Sequence, residues 1–139
     1  MTQVIGENTR PGLVVDIDNT ITIDESGVPY NDKRPNEAMI AKLKEYAAAG
    51  WEITLNSSRR MSTHRNDEAR VVADIAATTI EWLQRHEVPY DGIRFGKPYA
   101  HEGFYVDDKS VRPSEFLRHS PTELRALIAA DEKTCRDTK

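Results

Sequence analysis

The stretch Leu13-Val14-Val15-Asp16-Ile17-Asp18-Asn19-Thr20 decides the fold that we expect for this chain. Its short apolar run, ending in acidic and polar residues, is typical of a buried strand in a parallel sheet. In an extended chain, residues two apart point the same way, so Asp16 and Asp18 are expected to face one site. The sequence therefore predicts a strand whose carboxyl end carries two neighbouring carboxylates.

Outward from this strand, apolar periodicity and turn residues predict an alternation of strands and helices. Residues 21–32, with a turn at Ser26-Gly27, predict a small hairpin that overhangs the end of the first strand. Further strands are predicted at 51–55, 93–95 and 103–106, and helices at 35–49, 68–86, 113–118 and 121–130. This order predicts an α/β domain with a mostly parallel sheet, in which ligands bind beyond the carboxyl ends of the strands.

Length and composition favour one cytoplasmic domain. A chain of 139 residues is the size of a single domain, which we place at residues 1–139 with a polar lead over 1–11 and a frayed tail over 131–139. A net charge of -4 argues against nucleic acid as a partner, since no basic excess is present to bind the phosphate backbone. The single cysteine, Cys135, and the absence of a long apolar run predict a cytoplasmic protein without a membrane segment.

The residues after the predicted strands share one chemistry. The first, second, third and fourth strands are followed by DIDNT, NSSRR, GKP and DDKS. Two close carboxylates repel each other and are tolerated best around a hard cation, so Asp16 and Asp18 predict a Mg²⁺ site. Asp107 and Asp108, from the fourth strand, would complete its oxygen shell. An isolated pair of aspartates is as often a helix cap or a solvated strand end, but the ordered combination favours the metal site.

A phosphate monoester carries about two negative charges near neutrality, which must be neutralised before a carboxylate can attack it. Lys97, between Gly96 and Pro98, is predicted to be a fixed cation for this purpose, although an exposed lysine is the ordinary alternative. Ser57 is positioned to donate a hydrogen bond to a phosphoryl oxygen, and Thr20 to hold the first loop.

The motifs DIDNT at 16–20, Ser57 after a strand, Lys97 in GKP and VDD at 106–108 occur in this order. In that order they resemble the haloacid dehalogenase-like phosphatases. The later stretch, FGKPYAHEGFYVDDKSVRPSEF, is similar to a group of small phosphatases encoded with capsular polysaccharide or surface-sugar biosynthesis genes. The resemblance implies a Rossmann-like core with helices on both faces of the sheet. It also implies hydrolysis of a sugar phosphate or phosphorylated saccharide with Mg²⁺ as cofactor.

The resemblance also implies a role for each motif residue. Asp16 would be the nucleophile that forms an aspartyl-phosphate, and Asp18 the general acid and then the base. The phosphoryl group would be bound by Ser57 and Lys97, with Asn19 and Thr20 in the same loop, and Asn19 stands where many members have glycine. Mg²⁺ would be held by the Asp16 carboxylate, the Asp18 backbone carbonyl and Asp107, with Asp108 beside them.

Family members usually carry a cap domain inserted after the first or the second strand. Here the segment from Thr20 to Ser57 holds only the hairpin and one helix, and the segment from Ser57 to Lys97 holds only one helix. We therefore expect no cap, an open site, and either a large phosphorylated substrate or a homo-oligomer. A cluster of basic residues follows Ser57 and is a candidate for binding a second anionic group of the substrate, or else a solvated basic loop: Arg59, Arg60, His64 and Arg65. His101 is a similar candidate.

Two other functions stay open. A phosphatase acting on the 3′-phosphate of a nucleic-acid end would use the same chemistry in an open site. A phospho-receiver domain also places acidic residues, a Ser or Thr and a lysine at strand ends, but takes up phosphate once without turnover. The motif order favours the phosphatase over the receiver.

Overall fold

The computed structural model describes residues 10–138, which form two compact units. The first ends at Tyr99 and the second begins at Ala100. Most of the predicted polar lead, residues 1–9, lies outside the described residues, as does Lys139. No helix within residues 10–138 is both long and apolar enough to cross a membrane.

The first unit is built on a three-stranded parallel sheet. Its strands are β1 (Gly12–Asp16), β4 (Glu52–Ser57) and β5 (Gly92–Phe95), in the order β1-β4-β5. All pairings are parallel, and the register places Asp16 opposite Asn56 and Ser57 opposite Phe95. This confirms the prediction of a mixed α/β fold with a mostly parallel sheet, and the arrangement is compatible with a Rossmann-like fold.

A hairpin follows β1, as predicted. Strand β2 (Thr22–Ile23) pairs antiparallel with β3 (Arg34–Pro35), and a short 3-10 helix (Tyr30–Asp32) lies in the connection. We refer to residues 22–35 as the flap. Gly27 has a φ of 79°, a left-handed conformation that suits glycine at the predicted turn.

The first helix begins later than predicted. Pro35 belongs to β3, and α1 spans Glu37–Ala48 because the Asn36 side chain accepts a hydrogen bond from the Met39 N–H at 3.1 Å. The helix end agrees with the prediction: Gly50 adopts a φ of 90° just beyond it.

The second helix, α2, spans Glu68–Arg85 with Asp67 as its N-cap, close to the predicted 68–86. Most of its predicted apolar face is buried, including Val71, Ile75 and Leu83. Val72, which the periodicity placed on the same face, is 47 % exposed. The core of the first unit includes side chains from the sheet, the loop after β1 and both helices, among them Ile17, Leu43, Ile53, Leu55, Val71, Ile75, Trp82 and Leu83.

The second unit contains helices α3 (Pro113–Arg118) and α4 (Pro121–Asp137). Two predictions here were wrong. Residues 103–106 are not a strand, since a run this short forms one only when a neighbouring backbone pairs with it, and Phe104 and Val106 are 89 % and 94 % exposed. The tail predicted to fray continues α4 to Asp137, because helix-forming residues and an Arg136–Glu132 ion pair one turn apart support its polar last turns.

The turn after β5 depends on Gly96. Its φ is 117°, and a Cβ there would lie 2.6 Å from Cδ of Glu68. Its N–H and that of Lys97 both donate to the Ser57 carbonyl at 3.1 Å. This glycine therefore allows the chain to turn tightly against the end of β4.

Replacing Gly96 with alanine should lower the free energy of unfolding by about 1–3 kcal/mol, because alanine is strained at this φ and meets Glu68. Urea denaturation measures the loss. Gly92→Ala is the matched control, since Gly92 lies in β5 and a Cβ there would meet nothing within 4 Å beyond its chain neighbours. Equal stability of the two variants would contradict this account of the turn.

Candidate active site

The carboxyl ends of the three parallel strands bring together three of the predicted residues. Asp16 ends β1, Ser57 ends β4, and Lys97 follows β5 in the turn anchored to the Ser57 carbonyl. Ser57 is 1 % exposed. Parallel pairing alone produces this convergence, because it aligns the same ends of all three strands.

Asp16 lies between a cation and a hydroxyl. The Lys97 Nζ is 3.5 Å from its Oδ1, and the Thr20 hydroxyl donates to its Oδ2 at 3.4 Å. Burial raises the pKa of the Asp16 carboxyl; Lys97 and a backbone hydrogen bond from Ile17 partly offset this, and the nearby Asp18 charge adds to it. The carboxylate is thus desolvated and adjacent to a lysine, as a nucleophile for an anionic substrate requires.

The loop after β1 turns tightly around the Ile17 carbonyl, which accepts hydrogen bonds from the N–H groups of Thr20 and Ile21 at 3.2 and 2.9 Å. Asn19 adopts a left-handed φ of 57°, which asparagine tolerates better than most residues. Its N–H donates to the Thr22 hydroxyl at 3.0 Å. The structure therefore gives Asn19 a conformational role in shaping the loop.

Asp18 is held by two cations. Arg59 donates to both of its oxygens, from Nε at 3.1 and 3.0 Å and from Nη2 at 2.9 Å. Lys33 of the flap donates to Oδ1 at 2.9 Å and also lies 3.1 Å from Asp24. Burial alone would raise the pKa of the Asp24 carboxyl, but hydrogen bonds from Thr22 and Lys33 outweigh it and hold that pKa below its usual value.

Arg59 is a buried positioning group, with 2 % of its surface exposed. Besides Asp18, its guanidinium donates to the Thr79 hydroxyl of α2 at 2.9 Å, and its backbone N–H donates to the Ser57 Oγ at 3.1 Å. Its guanidinium also lies over the Tyr30 ring, 4.5 Å from the centroid. Arg59 is therefore buried and hydrogen-bonded within the protein in this structure, whereas the sequence made it a candidate for binding an anionic group of the substrate.

Sequence reasoning missed Lys33, Thr79 and Tyr30. A lysine in a hairpin, a threonine on a helix and a tyrosine beside a turn each have ordinary explanations, and only the folded chain brings them to Arg59 and Asp18. The threonine offered one signal, because it interrupts the apolar stripe of α2 yet is 1 % exposed.

The other basic candidates lie farther along the same loop. Arg60 and His64 both face Asp74 of α2, with Nε 3.6 Å and Nε2 2.8 Å from its Oδ2. Arg65 is exposed and has a left-handed φ of 52°. Arg60 and His64 are therefore already paired with a carboxylate.

Asp107, Asp108 and His101 belong to the second unit. There the Asp108 N–H donates to the Asp107 Oδ1 at 2.7 Å. Side-chain and backbone hydrogen bonds from Asp108 lower the pKa of the exposed Asp107 carboxyl. Asp107 therefore stays ionised to a lower pH than an ordinary aspartate does.

The residues of the first unit fit Mg²⁺ in part. Among residues 10–138, no three His, Cys, Asp or Glu side chains are grouped to hold a metal ion. The Asp16 carboxylate is a suitable oxygen ligand. The Asp18 side chain is paired with Arg59 and Lys33, so its backbone carbonyl is the oxygen that it can offer to a metal ion as a ligand.

Comparison with known proteins found a structural relative. No family model and no curated protein matches the chain. The crystal structure of a structural-genomics target from Vibrio cholerae aligns with a TM-score of 0.81 and 36 % sequence identity, over 87 % of this chain and 98 % of that one. The chain belongs to the same family as that Vibrio cholerae protein. The family relationship supports the α/β fold and leaves the activity to be inferred from the site.

A second solved structure, a Pnkp1/Rnl/Hen1 complex, aligns with a TM-score of 0.47 and 19 % identity. The alignment covers 81 % of this chain and 36 % of that one. A similarity of this size supports no conclusion about function.

The raised pKa of Asp16 makes stability depend on pH. Because the folded value lies above the ordinary value of 3.8, the folded state binds more protons than the unfolded state in this window. The free energy of unfolding of the wild type, measured relative to that of Asp16→Asn, should therefore fall as the pH rises from 3.8 through the folded pKa of Asp16. Above the folded pKa the difference should no longer change with pH. Urea titrations of both proteins in metal-free buffer from about pH 4 to 8 measure this. A stability difference that is independent of pH would contradict it.

Removing the Arg59 guanidinium should be costly. Arg59→Met removes one of the two cations that hold Asp18 and the donor to the Thr79 hydroxyl, and we expect a loss of about 2–3 kcal/mol in the free energy of unfolding. This is below the usual range for fully buried pairs, because 26 % of the Asp18 side chain is exposed. Arg60→Met is the matched control, since its side chain is 41 % exposed and should change stability by less than about 1 kcal/mol. Similar losses in both variants would argue against the buried pair.

Proposed function

We propose that this protein is a Mg²⁺-dependent phosphomonoesterase of the haloacid dehalogenase-like kind, acting on a sugar phosphate or phosphorylated saccharide. The observation that carries the proposal is the desolvated Asp16 carboxylate at the end of β1, with the Lys97 ammonium 3.5 Å from it. The buried Ser57 at the end of the neighbouring strand supports it.

In the proposed first step, a carboxylate oxygen of Asp16 attacks phosphorus. The new O–P bond forms as the ester P–O bond breaks, and the alcohol leaves with a proton. In this proposal Lys97 would neutralise the phosphoryl oxygens, and the Ser57 hydroxyl would donate to one of them. Mg²⁺, when bound, would supply further charge neutralisation, with the Asp16 carboxylate and the Asp18 backbone carbonyl as its ligands from the first unit.

In the proposed second step, water hydrolyses the aspartyl-phosphate. Asp18 handles the proton in both steps, first giving one to the leaving alcohol and then taking one from water. Arg59 and Lys33 place three donor contacts on its Oδ1 and one on its Oδ2, so the carboxyl group is fixed in direction and Oδ2 is the oxygen that would carry the proton.

We further propose that no cap domain covers this site. Between Thr20 and Ser57 the chain forms the flap, α1 and β4, and between Ser57 and Lys97 it forms α2 and β5. An open site suits a larger phosphorylated saccharide, or a homo-oligomer in which a neighbouring copy borders the flap. A 3′-phosphatase of nucleic-acid ends is the alternative with the same chemistry.

Asp16→Asn should abolish hydrolysis of a chromogenic phosphate ester while the protein stays folded, because the nearly isosteric amide does not attack phosphorus. Asp18→Asn should lose about 10²–10⁴-fold in kcat, the usual contribution of a positioned acid/base. Steady-state assays with Mg²⁺, and with EDTA as the metal-free arm, measure both effects.

Asp91→Asn is the control for the loss of one carboxylate, because Asp91 precedes β5 at its amino end whereas Asp16 lies at the carboxyl end of β1. Its activity should match that of the wild type. Single phosphorylation of the wild type without turnover would instead indicate a receiver domain. Full activity in EDTA would remove the metal from the proposal.

A further inference from the structure

A cleft lies between the flap and α2. It has a volume of about 490 Å³, within the range of small-molecule sites. Its polar lining includes Asp24, Tyr30, Lys33, Arg60, Asp74 and Thr78. Lys33 joins the cleft to the proposed active site, because its ammonium is 2.9 Å from Asp18.

The two walls of the cleft are fastened to each other. The Trp82 Nε1–H of α2 donates to the Lys33 carbonyl at 2.8 Å, and Arg85 donates to the Asn31 carbonyl. Tyr30 packs against the apolar cluster of Met61, Val71 and Ile75. The cleft is therefore a preformed feature, and a ligand bound there would not have to order the flap.

The charges of the lining indicate the kind of group that fits. Three carboxylates and two cationic groups line the cleft. Each cation already has a carboxylate partner: Lys33 lies 2.9 Å from Asp18 and 3.1 Å from Asp24, and Arg60 lies 3.6 Å from Asp74. The third carboxylate, Glu25, pairs with Arg34. A second phosphate would therefore have to compete with carboxylates for cations that are already paired.

Hydroxyl groups suit this lining better. Carboxylates accept hydrogen bonds from hydroxyls without giving up their cationic partners, because each has more than one acceptor site. The Thr78 and Tyr30 hydroxyls can donate or accept. Val28, Pro29 and Ile75 add apolar surface for the C–H face of a ring.

The geometry points to this cleft as the site of the leaving group, and to that group as an uncharged, hydroxyl-bearing ring such as a hexose. This inference rests on the proposed phosphatase function and deepens it. It selects sugar monophosphates over substrates with a second anionic group, including bisphosphates and the phosphodiester chain of nucleic acid. In this proposal the flap and α2 of the same chain would enclose the leaving group, a role that a cap domain has in other proteins.

Equilibrium binding tests the assignment without relying on turnover. In the Asp16→Asn background with Mg²⁺, calorimetry would compare inorganic phosphate, fructose 6-phosphate and fructose 1,6-bisphosphate. We expect the monophosphate to bind at least 10-fold more tightly than phosphate, and the bisphosphate to bind no more tightly than the monophosphate. Tighter binding of the bisphosphate, or of a 3′-phosphorylated oligonucleotide, would overturn the inference.

Two substitutions locate the effect. Thr78→Phe fills the cleft and should reduce the affinity for fructose 6-phosphate about to that of phosphate, with phosphate binding unchanged within twofold and Thr78→Ser as control. Asp74→Asn releases Arg60 and should shift the ratio of bisphosphate to monophosphate affinity at least fivefold toward the bisphosphate. Glu45→Gln, which removes an exposed carboxylate of α1, should not.

The results separate this inference from the proposed function. If phosphate binds but the sugar adds no affinity, or if neither substitution changes the ratios, the cleft assignment is wrong and the phosphatase proposal stands. If neither phosphate nor a sugar phosphate binds and the wild type does not turn over the chromogenic ester, both fall. The exposed position of Asp74 keeps the test decisive even if Thr78→Phe does not fold.

Discussion

The buried guanidinium of Arg59 is the constraint on which the site depends. A cation removed from water must be paired, and unpaired it would cost several kcal/mol. Arg59 finds its partners in four places: Asp18 after β1, Ser57 through its own backbone, Thr79 on α2 and the Tyr30 ring of the flap. One side chain therefore holds these elements to one another: Asp18 neutralises the charge, and the Thr79 hydroxyl and the Tyr30 ring make further contacts with the guanidinium.

The same pairing gives the two aspartates of the first loop different surroundings. Asp18 is satisfied by Arg59 and Lys33, whereas Asp16 has the Lys97 ammonium at 3.5 Å and a pKa raised by burial. The carboxyl groups of Asp16 and Asp18, two residues apart, therefore differ in their charged partners.

Much of this arrangement could be predicted from the sequence, because parallel strands bring their ends to one edge. The short apolar runs identified the three sheet strands, and the convergence of Asp16 and Ser57 with Lys97 followed. The burial of Arg59 could not be predicted, since two adjacent arginines after a strand look alike and only packing against α2 distinguishes them. The prediction of a strand at residues 103–106 was wrong for a similar reason, because strand formation depends on a pairing partner that an apolar run does not reveal.

The register of the sheet also has a kinetic consequence. Gly12 pairs with Glu52 and Thr54 with Gly92, so each strand pairing closes a loop of about 40 residues. No pair of neighbouring strands in this sheet can zip up locally, and the entropy of both loops is lost before the sheet contributes stability. Folding of the first unit should therefore be limited by these long-range encounters, while its helices, whose hydrogen bonds span four residues, form and dissolve much faster.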